Sequence, residues 1–172
     1  MKKEKKMATI DNLKAAFAGE SQANRKYLAF AKKADAEGFK QVAKLFRAAA
    51  EAETVHALAH FRVMGGAKST VENLQAAIEG EGYEFQKMYP EFLKEAIAEG
   101  SKAAEISFKN ANAVEEIHFG LYSKALASIK GGKDIEAKQI WVCSVCGNTV
   151  EGNCPEQCPV CKASKDKFSE IK

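Results

Sequence analysis

From about Thr9 to Ile129 apolar residues recur at steps of three and four, broken only near Gly38, at Gly65-Gly66, at Gly100-Ser101 and at Gly131-Gly132. That period belongs to amphipathic helices, so the chain is predicted to form four of them. Each has roughly 26 to 29 residues and is about 40 Å long. Ser69 followed by Glu72 predicts a capping box ahead of the third helix, and Ser101 is placed to cap the fourth. After the fourth helix the pattern changes. KGGKDIEAKQ, residues 130–139, is rich in glycine and charge, and beyond it short apolar runs alternate with turns, with too little apolar material to fold unaided.

The four helices are two copies of one pair. Gly38 matches Gly100 and Tyr27 matches Tyr89 at an offset of 62, whereas Glu20 matches Glu81 at 61. The second copy therefore carries one extra residue between Glu81 and Tyr89, which a helix can absorb as a π-bulge, and Pro90 is expected to kink the helix nearby.

The repeat also carries chemistry. EAETVH places Glu53 and His56 one turn apart on one helix face, and VEEIH does the same with Glu115 and His118. Two Glu-x-x-His pairs, with one inward glutamate on each remaining helix, Glu20 and Glu81, form the ligand set of a carboxylate-bridged di-iron or di-manganese bundle. Unpaired carboxylates would be costly to bury at matched depth in four helices, and two divalent ions would neutralise them. The competing account, solvated acids and ordinary core histidines, does not explain why symmetric positions repeat. Tyr27 and Tyr89, about two turns beyond Glu20 and Glu81, can either hydrogen-bond the ligating carboxylates or serve as plain core aromatics. His60 has no counterpart in the second copy, where Tyr122 stands, and is assigned to packing or hydrogen bonding; Glu51 and Glu116 are assigned to solvent. Glu84, one turn past Glu81, is an extra acid in the copy that holds the insertion.

Composition narrows the partners. With 26 Lys+Arg against 23 Asp+Glu the net charge is +3, which gives no footprint for nucleic acid or an anionic membrane. No run approaches the ~20 apolar residues of a membrane span, and the N-terminal MKKEKK lacks the apolar core of a secretion signal, so a cytoplasmic protein is expected. All five cysteines lie between Cys143 and Cys161. Cys143-x-x-Cys146-Gly and Cys158-Pro-x-Cys161 are two knuckles eleven residues apart, the pattern of a tetrahedral tetrathiolate site holding zinc or a single iron. Cys154 lies outside both knuckles and is read as a spectator.

From about Ile10 to Phe168 the chain resembles rubrerythrin, in the motifs AFAGES, AEAETVH, GEGYEFQKMYPEF, VEEIH, WVCSVCG and CPVC. The resemblance implies an all-α, ferritin-like four-helix bundle plus a small metal-stapled, rubredoxin-like β/loop domain. The expected boundaries are a flexible tail over 1–8, the bundle over 9–130, a linker over 131–139 and the tetrathiolate iron domain over 140–172. It implies a non-haem di-iron peroxidase that reduces hydrogen peroxide to water in oxidative-stress defence. Electrons would pass through the rubredoxin-type iron from a separate NAD(P)H-linked reductase or a rubredoxin. Carried over by residue, Glu53 and Glu115 would bridge the irons, Glu20 and Glu81 would be terminal ligands, and His118 would bind the second iron. Glu84 and His56 would exchange at the first iron, which makes them the catalytic pair. The resemblance further implies a homodimer in which one chain's tail serves another chain's bundle. The alternative reading is a ferroxidase or iron-storage bundle with a structural zinc-ribbon tail.

The second and third helices of such a bundle run parallel, so their connection must return along a ~40 Å helix. GGAKS spans at most about 18 Å. Either the helix ends unwind, or the first pair packs against the second pair of another chain in a segment-swapped dimer.

Overall fold

The structure, a computed structural model, describes residues 2–172, with side chains from Ala8 onward. By internal contacts the chain divides into two compact units that part between Lys68 and Ser69.

The first unit is a helical hairpin of α1 (Lys2–Ala36) and α2 (Lys40–Val63). α1 begins at Lys2, inside the stretch expected to be a tail through residue 8; Met1 and the side chains of residues 2–7 lie outside the described residues. Gly38 adopts φ +86°, a left-handed conformation that costs glycine little, and the Phe39 N–H closes the turn onto the Ala34 carbonyl at 2.9 Å. The seam is built from alanine. Ala31 and Ala34 on α1 are buried, as are Ala43, Ala50 and Ala57, which recur every seven residues along α2 and so face the same way. Small side chains let the backbones approach, and Asn24 crosses the seam to donate to the Ala50 carbonyl at 2.7 Å and to Thr54 Oγ1 at 2.8 Å.

In the second unit, the expected third helix is two α-helices joined by a π-helical turn: α3 (Thr70–Tyr83), the turn Glu84–Met88, and α4 (Tyr89–Ala98). The residue inserted in the second repeat is absorbed here, because an i→i+5 turn takes up one residue more than an α turn. Ser69 forms the expected capping box, accepting from the Glu72 N–H at 3.3 Å while its own N–H donates to Glu72 Oε2 at 3.2 Å. α5 (Lys102–Lys130) returns along α3 and α4. Ser101 sits at its start but makes no side-chain cap. Its N–H instead closes onto the Ala96 carbonyl at 2.9 Å beyond the left-handed Gly100, as Phe39 does beyond Gly38, so the repeat preserves the turn and leaves the hydroxyl unused as a cap. Gly82 lies against α5, where a Cβ would stand 3.3 Å from the Phe119 ring.

The aromatic residues show the same duplication. Tyr27, Phe30 and Phe46 form a cluster with ring centroids 5.5 to 6.2 Å apart, and Tyr89, Phe92 and Phe108 form its equivalent at 5.6 to 6.3 Å.

The segment after α5 leads to a three-stranded antiparallel sheet of order β2-β1-β3: β1 (Ile140–Cys143), β2 (Thr149–Glu151) and β3 (Phe168–Ile171). Trp141 on the central strand is paired with Val150 and Glu170, and its indole N–H donates to the Gly152 carbonyl at 3.0 Å. Buried Cys143, Cys158 and Phe168 form the small core. The sheet packs on its own chain's α5, where Lys124 pairs with Glu151 at 2.6 Å and Val114 lies under Gly147.

Candidate metal centres

In the first unit Glu20 from α1 and Glu53 and His56 from α2 each bring a ligand atom within 4.8 Å of the other two. In the second unit Glu81 from α3 and Glu115 and His118 from α5 do the same. The helical spacing of three places each histidine over its glutamate: His56 Nδ1 is 3.1 Å from Glu53 Oε2, and His118 Nδ1 is 2.9 Å from Glu115 Oε2 and 3.9 Å from Glu81 Oε1. Six of the seven expected ligands thus fall into two triads of the same composition. Their settings differ, since the His118 side chain is 24% exposed and that of His56 is 56% exposed.

Each triad contains a carboxyl pair that behaves as one acid. Glu20 is held above the ordinary carboxylate range, first by its hydrogen bond to Glu53 and then by burial and the Glu53 charge, while Glu53 is held below it by the bonds from Glu20 and His56. Glu81 is pushed up to about 7 by burial, then by its hydrogen bond to Glu115 and the charges of Glu115 and Glu84. Ionising both carboxylates of such a pair is disfavoured unless a cation lies between them. Glu84, the seventh residue, stands on the π turn outside the triad. Burial and then the Glu115 charge raise its carboxyl, and it raises Glu81 in return. Burial raises the Tyr89 hydroxyl, as do Glu115, Glu84 and Glu81 in turn, so this tyrosine stands near the carboxylates as well as in its aromatic cluster. Tyr27 belongs to the equivalent cluster. His60 stays outside the first triad, although its charge favours ionised Glu20.

The four knuckle sulfurs of the tail also come together. Cys143 Sγ lies 3.7 Å from Cys161 Sγ, and Cys146 Sγ lies 3.6 Å from Cys158 Sγ. A tetrahedron with metal–sulfur bonds of ~2.3 Å has edges of about 3.8 Å, so the cluster has the dimensions of a bound ion. Left-handed residues follow each knuckle, Gly147 at φ +85° and Lys162 at φ +63°. The next N–H groups, those of Asn148 and Ala163, point at Cys146 and Cys161. Burial opposes ionisation of Cys158, but the N–H groups of Cys161 and Val160 and the neighbouring thiols outweigh it and bring Cys158 to about 7. Cys146 is driven upward by burial. Cys154 stands outside the four-sulfur group, beside the Pro155 carbonyl.

Two residues that sequence reasoning passed over touch both kinds of centre. Asn148, 1% exposed, directs its side-chain amide at Cys158 Sγ at 3.7 Å. Its neighbour Thr149 places Oγ1 2.9 Å from His118 Nε2. No motif flags either, because both contacts depend on how the knuckles fold and on where the sheet meets α5. Within residues 69–172 the sheet contacts the histidine of its own chain.

The chemistry of the donors fits iron in both settings, with oxygen and imidazole in the triads and thiolate in the tail. Comparison with known proteins agrees. The family model described as Rubrerythrin matches residues 11–126, and that of the rubrerythrin rubredoxin-like domain matches residues 141–169. Rubrerythrin-2 of Clostridium acetobutylicum is 36% identical, covering 95% of this chain and 97% of that protein. Nigerythrin of Nitratidesulfovibrio vulgaris is 36% identical, covering 94% and 86%. Solved structures of nigerythrin in a mixed-valence state and in a fully reduced, all-ferrous state match with TM-scores of 0.57 at 35% and 34% identity, each covering 95% of this chain and 86% of the other. The chain belongs to the rubrerythrin family, oxidoreductases whose carboxylate-bridged di-iron centre is joined to a rubredoxin-type tetrathiolate iron.

Proposed function

We propose that this protein is a peroxidase that reduces hydrogen peroxide to water, receiving electrons through its tetrathiolate iron from a separate NAD(P)H-linked reductase or a rubredoxin. The observation that carries this reading is the pairing, within residues 69–172, of a Glu/Glu/His triad with a four-sulfur site whose adjoining strand is hydrogen-bonded to the triad's histidine. A storage bundle has no need of that link.

Glu20, Glu53, Glu81, Glu115 and His118 hold the two irons, and His56 and Glu84 are the residues that alternate as a ligand. When bound, the ferrous pair supplies the two electrons that cleave the O–O bond, and the tetrathiolate iron supplies replacements one at a time. The side chains manage protons and access. Metal binding displaces the proton held at Glu81, and Glu20 is raised in the same direction by its bond to Glu53. Glu84, raised by burial and by the Glu115 charge, gives up its proton less readily than an ordinary carboxyl. It sits on a π turn, where the widened backbone allows a local shift without unwinding α3 or α4. His56 is bonded to Glu53 alone among the described residues, so its ring is free to turn.

The working unit is proposed to be a segment-swapped homodimer. α2 ends at Val63 and α3 begins at Thr70, and a connection this short supports the swap over an unwound loop. Six residues span about 22 Å at most, short of the roughly 36 Å of α2's 24 residues. Mixing Glu53→Ala chains with Glu115→Ala chains tests it, since only swapped dimers regenerate an intact site. A cytoplasmic setting is consistent with five free cysteines, and no described helix is long and apolar enough to cross a membrane.

The activity is tested by mixing the anaerobically reduced protein with hydrogen peroxide and following the visible absorbance of the tetrathiolate iron. Reoxidation in step with peroxide loss is expected. Rapid iron oxidation by O2 with peroxide left unconsumed would point instead to a ferroxidase.

A further inference from the structure

His118 differs from His56 in one respect that the repeat does not predict: its outer ring nitrogen is held. Nε2 lies 2.9 Å from Thr149 Oγ1, and Thr149 belongs to β2 of the tail, 31 residues further along the chain. The same hydroxyl donates a hydrogen bond to the Gly147 carbonyl at 3.3 Å. The contact is clamped on both sides, by the Lys124–Glu151 pair at 2.6 Å and by Val114 beneath Gly147.

We propose that Thr149 is a positioning residue that fixes the His118 ring in the form able to bind metal through Nδ1, so that the tail completes the metal triad of its own chain. The proposal rests on the dinuclear reading of the triads. A nitrogen that binds metal must present a lone pair, and a neutral imidazole then carries its proton on the other nitrogen. For Nδ1, which faces Glu81 and Glu115, the proton must sit on Nε2 and needs an acceptor. Thr149 Oγ1 is that acceptor, and it keeps the role because its own hydrogen is directed to the Gly147 carbonyl. The chain Nε2–H to Oγ1–H to carbonyl leaves no group unsatisfied. A valine has the shape of threonine but offers neither half of this relay. Among the described residues His56 has no equivalent support, which matches its assignment as the ligand that exchanges, whereas His118 is the one that stays.

The test is titration of the full-length, metal-free protein with cobalt(II), whose weak bands in oxygen and nitrogen sites are separate from the intense thiolate-to-metal absorption of the tail. In Thr149→Val, uptake at the carboxylate and histidine site is expected to weaken by about 10- to 100-fold, the usual effect of removing a hydrogen-bond partner from a metal-binding histidine. The tetrathiolate absorption should be unchanged, which shows that the tail has folded. Thr149→Ser keeps the hydroxyl and is expected to restore the wild-type titration. A Thr149→Val protein that titrates like wild type would overturn the proposal and leave the dinuclear reading intact, as would a Thr149→Ser protein as weak as the valine variant. If the wild-type protein takes up cobalt only at its cysteines, both fail together.

Discussion

Glu81 on α3 and Glu115 on α5 are joined by a hydrogen bond that requires one of them to keep its proton. Burial and the two neighbouring acids hold Glu81 at about 7, whereas in the unfolded chain it titrates at the ordinary carboxyl value of 4.5. Between those values the folded, metal-free protein binds more protons than the unfolded one, so stability falls as pH rises through the window. Urea unfolding of the metal-free protein should therefore show a lower midpoint at pH 8 than at pH 5, with a flatter dependence in Glu81→Gln. Iron, which replaces the proton, should remove most of the slope. A midpoint that climbs across the window would contradict the shared proton.

The distance between those acids depends on Gly82. A Cβ there would meet the Phe119 ring at 3.3 Å, and that ring is packed edge-on against Phe85 at 5.3 Å, so it has little room to yield. Gly82→Val should cost about 1 to 3 kcal/mol through overpacking, less what it regains in helix propensity. It should also weaken metal uptake by separating α3 from α5. Calorimetry and the cobalt titration would report the two effects separately; a variant as stable and as tight as wild type would show that the close approach is dispensable.

Much of this architecture could be read from the chain because the repeat makes each signal appear twice. Glu53 with His56 is a common accident of a helix, but its recurrence at Glu115 and His118, with Glu20 and Glu81 in step, is not, and the structure gathers both sets into triads. The mismatched offset at Glu81 places the extra residue where the π turn lies. What stayed hidden depends on contacts with no local period. Ser101 looks like a cap, but the turn it occupies satisfies the backbone first. Asn148 and Thr149 acquire meaning only when the knuckle turns one side chain onto a sulfur and the next onto α5. The aromatic clusters were within reach, since Phe30 and Phe46 recur as Phe92 and Phe108 at the same offset of 62.

The tail should depend on its metal far more than the helices do. Its core is two buried cysteines and Phe168 under a three-stranded sheet, too little apolar burial for independent folding. Cys143→Ser should abolish the red colour of ferric tetrathiolate iron and expose Trp141 to solvent, seen as a red shift of its fluorescence. The helical far-ultraviolet signal should persist. Loss of helix in parallel would mean that the bundle is not stable without the tail.

Asn148 sets a further expectation, this time for the redox chemistry of the four sulfurs. Its amide is almost wholly buried and donates to Cys158 Sγ at 3.7 Å, adding a side-chain donor to the backbone N–H groups of Val160 and Cys161. Reduction adds an electron to a centre that four thiolates already make negative, so each donor aimed at sulfur favours the reduced state and raises the potential. Asn148→Leu fills similar space with no N–H and should lower the midpoint by tens of millivolts, where about 59 mV corresponds to a tenfold change in a one-electron equilibrium. Asn148→Gln is not an equivalent rescue, because the longer amide does not fit a site with 1% exposure; Asn148→Ser, small enough to keep a donor near the sulfur, should fall between the two. Spectroelectrochemical titration at the visible band gives the numbers directly. If Asn148→Leu folds, holds iron and titrates at the wild-type potential, the amide serves packing alone, and the potential of this centre is set by the backbone.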